Sequence, residues 1–122
     1  MEIHEHIENG IVIIRIESQI DSTTGPVLGD RLKEIIGAGH PYLILDLSGV
    51  PYISSAGLRV LSIALKSIRA SNTGGDLYLA NLSKTVAHAF RISGFDQVFH
   101  TYETVSEAVA AMAASREFEA GE

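Results

Sequence analysis

The sequence predicts a single α/β domain: a mixed, mostly parallel sheet of about five strands with about four helices, in the order β-β-α-β-α-β-α-β-α. Three observations carry this expectation. Asn9-Gly10 lies between two strand-like runs and is a strong two-residue hairpin signal, so the chain opens on an antiparallel pair. After Asp21, apolar strand segments alternate with amphipathic helical ones, which makes the later strands largely parallel. The 122 residues, 46% hydrophobic and 20% charged, are enough for one buried core and ordinary for a globular chain.

Residues 3–7 alternate in polarity, as an edge strand does. Ile11 to Glu17 is rich in β-branched residues at its start, as a strand covered on both faces would be. Asp21-Ser22-Thr23-Thr24 is a cluster of capping residues, and Pro26 suits a first helical turn. Leu28, Leu32, Ile35 and Ile36 then repeat at helical spacing until Gly37 and Gly39 end the helix. A third strand spans Tyr42 to Leu47. A second helix runs from Leu58 to about Ala70, with Leu58, Leu61, Leu65 and Ile68 on one face. Asn72-Thr73-Gly74-Gly75 is a turn before a fourth strand, Asp76 to Ala80. Ser83 caps a short helix that carries Val86, Ala89 and Phe90 and stops at Ser93-Gly94. Val98 to Thr101 reads as a short fifth strand, and Thr104 with Glu107 has the spacing of a capping box opening a last helix. Residues 1–115 form the domain, and 116–122 are a polar, acidic, frayed tail.

Composition removes several function classes. The absence of cysteine excludes disulfides, zinc thiolates and thiol catalysis. A net charge of -6 with no concentrated basic face argues against nucleic acid as a direct partner. No apolar run approaches the roughly 20 residues that span a bilayer, so no membrane insertion is expected. The N-terminus reads as a charged strand rather than a signal peptide, and the expected location is the cytoplasm.

The stretch from Tyr42 to Leu58 organises the rest: strand, turn, then Ser54 and Ser55 where a helix begins. Helix starts expose unpaired N–H groups and the positive end of the dipole. A serine there caps the helix, and it also suits a phosphoryl group, whose charge of about -1.5 to -2 the helix end stabilises. A nucleophilic serine needs a base and an orienting acid. None of His4, His6, His40, His88 and His100 is placed by pattern beside Ser55, and the segment is not G-x-S-x-G, so hydrolysis ranks last. His4 and His6 share a strand face as a metal pair would, but no third or fourth ligand is evident, so no metal site is assigned. No cofactor is expected. Asp21 and Asp46 both fall near the C-terminal ends of strands, where parallel α/β sheets gather function.

At these residues the chain resembles a known family. LILDLSGVPYISSAGLRVL (43–61) resembles the signature of the STAS domain, and in particular of bacterial anti-sigma factor antagonists. QIDSTT (19–24), DLYLANLSKTV (76–86) and ISGFDQVFHTYETVSEAV (92–109) agree with it in order and spacing, so the likeness covers nearly all of 3–113. The resemblance implies a regulatory binding protein without catalytic residues. It implies phosphorylation of Ser55, the serine two residues before Gly57, by a partner that is both anti-sigma factor and serine kinase. Ser54 is the second candidate. It implies reversal by a PP2C-type phosphatase, and a partner-binding face of Asp21, Ser54, Ser55, Ala56, Gly57, Leu58 and Arg59. Two positions depart from the pattern: Ser54 stands where the family usually has aspartate, and Ser18 stands close to a common glycine. The rival reading within the same fold is an unphosphorylated accessory subunit of a transport or signalling complex.

Overall fold

Strand β1 (Glu2–Glu8) turns through Asn9 and Gly10, both at positive φ, and returns antiparallel as β2 (Ile11–Glu17). That backbone is what the Asn-Gly pair favours, and it matches the twist of a two-residue hairpin. The chain then crosses through α1 (Gly25–Gly37) to β3 (Tyr42–Gly49), through α2 (Ser55–Ala70) to β4 (Asp76–Ala80), and through α3 (Lys84–Ser93) to β5 (Thr101–Tyr102), before ending on α4 (Val105–Ala120). The structure, a computed structural model, describes residues 1–120 and the side chains of 1–116. Among the described residues the sheet has five strands in the order β1-β2-β3-β4-β5, and every pair after the hairpin is parallel.

Alternation along β2 and β3 divides the core into two layers. Val12, Ile14, Ile16, Leu43, Leu45 and Leu47 face α1, α2 and α3. Ile11, Ile13 and Ile44 face α4, where Ala108 and Met112 meet Tyr78 and Ala80. Strand β2 is therefore covered on both faces, as its β-branched composition requires.

Two expectations shift. The fifth strand is not Val98 to Thr101. Phe95–Gln97 forms a 3-10 turn, Phe99 is buried edge-on against Phe90 and Phe95, and only Thr101 and Tyr102 pair with β4. Burial of an aromatic side chain in the main core outweighs two more ladder bonds at a sheet edge. At the C-terminus, α4 continues past residue 115 to Ala120. Arg116 lies over the Tyr42 ring and donates to the Asn9 carbonyl, so the first part of the expected tail is helical. Gly121 and Glu122 lie outside the described residues. The second helix begins at Ser55 with Ser54 as its N-cap, where the serine pair was expected, and that turn is the centre of the site.

Candidate functional site

Beyond a register shift at Arg15–Glu17, the segments leaving β2 and β3 stay paired. Ile20 and Ile53 form a parallel bridge, the Ile20 N–H donates to the Tyr52 carbonyl at 3.0 Å, and the Ser54 N–H donates to the Ile20 carbonyl at 2.9 Å. Both isoleucine side chains are buried. The pairing sets Asp21 and Ser54, each one residue further on, side by side at the C-terminal edge of the sheet. Two segments 33 positions apart in sequence thus become one surface.

Each segment then enters a helix in its own way. Ser54 is extended (φ -89°, ψ 173°), and its Oγ accepts the Gly57 N–H at 3.2 Å, which makes it the N-cap of α2. Thr24 precedes α1 without a capping side chain, and Asp21 instead fixes the turn that leads into the helix. Its Oδ1 accepts the N–H groups of Thr23 and Thr24 at 2.9 and 3.0 Å. The Thr24 hydroxyl bonds in turn to the Gln19 carbonyl at 2.8 Å. The backbone N–H of Thr24 first, and that of Thr23 next, hold the Asp21 carboxyl below its ordinary value. Asp21 is therefore an ionised, fixed acceptor.

Gly57 makes the close approach possible. A Cβ at that position would lie 2.5 Å from the Ile20 carbonyl oxygen and 2.8 Å from Ile53 Cγ1. Only a residue without a side chain lets the first turn of α2 rest on the β2 segment. Leu58 follows and plugs the main core. Ala56 is half-buried, while Ser55 and Arg59 are exposed one helical turn apart. No acidic residue stands in the first turn of α2 itself, and the carboxylate at this helix start is that of Asp21, from the neighbouring segment. Ser55, Arg59, Ser62 and Lys66 line a shallow groove whose far wall is Ser93 and Phe95.

The expected site residues are thus brought together: Asp21 with Ser54 through Arg59. The two serines are distinguished, because Ser54 spends its hydroxyl on the cap and Ser55 keeps its own exposed. Asp46 does not join them. It alternates with Ile44 onto the α4 side of β3, and its Oδ1 accepts the Ser48 N–H and the Asn81 side-chain amide, each at 3.0 Å. It ties the end of β3 to that of β4. His40 precedes β3, whereas Ser55 follows it, so the eight residues of that strand separate them by roughly 26 Å. His100 lies against Tyr78 with the two rings tilted, and His4 and His6 lie on β1. The Thr23–Thr24 pair that fixes Asp21 was visible in sequence as capping residues but not as the carboxylate's partners. The Ser93–Phe95 wall of the groove left no local signal.

Residues 2–108 match the STAS domain family. The chain is 33% identical over 103 residues to BtrV of Bordetella bronchiseptica, an alignment spanning 84% of this chain and 87% of that one. It is 33% identical over 91 residues to the anti-sigma-B factor antagonist of Bacillus subtilis, spanning 75% and 80%. In fold it is similar to the crystal structure of an anti-sigma factor antagonist from Mycobacterium paratuberculosis, with a TM-score of 0.83 at 20% identity over 92% of this chain and 93% of that one. A family match over most of its length, on a sheet and a serine-bearing helix start with the expected geometry, means that this chain belongs to the STAS domain family, with anti-sigma factor antagonists among its relatives.

Proposed function

We infer that this protein is a cytoplasmic anti-sigma factor antagonist controlled by phosphorylation of Ser55. In this reading the unmodified chain binds an anti-sigma factor that is also a serine kinase, and so frees sigma factor. Phosphorylation of Ser55 ends the complex, and a PP2C-type phosphatase restores it. One observation carries the reading. Ser54 is engaged as the N-cap, while Ser55 beside it is exposed at the N-terminus of α2, near the fixed carboxylate of Asp21. The names of the relatives support the partner class.

The mechanism needs no catalytic group in this chain, because the kinase supplies the base. The docking face is Asp21, the exposed surface of Ser55 to Arg59, and the rim of the groove. A phosphate on Ser55 puts about -1.5 to -2 charges into that face. A partner surface fitted to a neutral hydroxyl then meets repulsion and a desolvation cost. Each tenfold loss of affinity needs only about 1.4 kcal/mol, so one group suffices.

The test is incubation of the full chain with the cognate anti-sigma kinase and ATP, followed by mass spectrometry and binding measurements. One phosphate is expected at Ser55, retained in Ser54→Ala and absent from Ser55→Ala. Ser55→Asp should bind the anti-sigma factor at least about tenfold more weakly, while Ser55→Ala binds in the presence of ATP. Wild-type affinity in Ser55→Asp would refute the charge mechanism.

A further inference from the structure

The outer hairpin carries a cluster unrelated to the serine face. The register pairs Glu2 directly with Glu17, and His4 with Arg15. Alternation puts Glu2, His4 and Glu17 on the same side of the β1–β2 ribbon, the side that faces α4 further along the sheet. His4 Nε2 lies 3.4 Å from Glu2 Oε2 and 3.5 Å from Glu17 Oε2. One ligand atom from each of the three residues fits within a 4.8 Å span.

These separations have a specific meaning. Nitrogen and oxygen ligands at about 2.0–2.1 Å from a tetrahedral zinc ion lie about 3.4 Å from one another. His4 thus stands from both carboxylates at the edge length of such a tetrahedron. Glu17 is also oriented for the role. Its Oε1 is held by the Arg15 guanidinium, which leaves Oε2 turned toward His4. Hydrogen bonding of this kind to a ligating carboxylate is the usual second layer of a metal site. His6 provides an internal contrast. It has a carboxylate at 3.4 Å, Glu8, but only one.

The geometry points to a divalent transition-metal site, of the zinc class, formed by Glu2, His4 and Glu17 on the open face of the hairpin. One imidazole and two carboxylates suit zinc better than magnesium, and three protein ligands leave a fourth position for water. The ion would hold the start of β1 to the end of β2, where the two like charges of Glu2 and Glu17 face each other across the ladder.

The test is calorimetric titration of the untagged, chelator-treated full chain with zinc chloride, alongside the histidine NMR signals. One saturable equivalent is expected, with the His4 imidazole resonances shifting and those of His6 unmoved. Loss of an outer-layer partner costs about 10–100-fold in metal affinity, so His4→Ala and Glu17→Gln should each lose at least about tenfold. His6→Ala should bind as the wild type does. His4 and His6 are exposed and Glu17 is half-buried, and circular dichroism verifies that the three variants fold. Absence of saturable binding, undiminished binding in His4→Ala, or loss of binding in His6→Ala would each overturn the assignment.

Discussion

Replacing Gly57 by alanine tests the joint that holds the site together. In a helix interior, alanine is worth up to about 1 kcal/mol over glycine, so propensity alone predicts stabilisation. The structure predicts the opposite. The added Cβ would meet the Ile20 carbonyl at 2.5 Å, roughly 0.9 Å inside ordinary contact, and backbone cannot rotate away as a flexible side chain does. Nor is that carbonyl free to move. It accepts the Ser54 N–H at 2.9 Å, and the Ile20 side chain is fully buried. A clash this deep with backbone falls in the upper part of the overpacking range, about 2–3 kcal/mol, so a net loss of about 1–2 kcal/mol is expected after the propensity gain. For a chain of this size that is a fall of about 4–10 °C in Tm. Gly37 is the control: it closes α1 in open space, with no atom within 4 Å of where a Cβ would stand, and its alanine variant should gain about 0.4–1 kcal/mol. Urea unfolding and calorimetry of the two variants read the contrast. If Gly57→Ala is neutral or stabilising while Gly37→Ala stabilises, the seating of α2 on the β2 segment is refuted.

The remaining predictions concern the two helix entries. Ser54→Ala removes the acceptor for the Gly57 N–H and should cost about 0.5–2 kcal/mol in urea unfolding, an effect absent from Ser55→Ala. Equal losses in the two variants would overturn the division of labour between the serines. Asp21 titrates below the ordinary aspartate value in the folded chain, so its contribution is fully present above the unfolded value of about 3.9 and is lost as pH falls through the lower folded value. The stability difference between wild type and Asp21→Asn should accordingly shrink between about pH 5 and about pH 2.5, an interval that brackets the unfolded value by about one unit or more on either side. A difference that stays constant over that interval would show that the Thr23 and Thr24 N–H groups do not favour the ionised form.

What could be read in the sequence was whatever local chemistry decides. Asn9-Gly10 tolerates positive φ, so the hairpin followed, and the 3.6-residue spacing of Leu58, Leu61, Leu65 and Ile68 reported a buried helix face. Features that depend on which strand face points where could not be read in the same way. Asp46 looked equivalent to Asp21 until alternation along β3 turned it toward α4 and Asn81. Ser54 and Ser55 are equally good caps, and the choice rests on where the Ile20–Ile53 bridge ends the extended backbone. Val98 to Thr101 has strand composition, but Phe99 is drawn into the core by Phe90 and Phe95 before pairing begins. The third ligand near His4 was hidden for the same reason, since Glu17 reaches it only through the antiparallel register.

If Ser55 is phosphorylated as proposed, the bridge between Ile20 and Ile53 also bears on what the kinase can recognise. Asp21 and Ser55 belong to separate stretches of chain and become neighbours only once β2 and β3 have paired. A short peptide centred on Ser55 carries the acceptor but lacks the carboxylate beside it. A kinase that read both groups would therefore be selective for folded copies, and the phosphate it left would also record that the chain had reached its native topology.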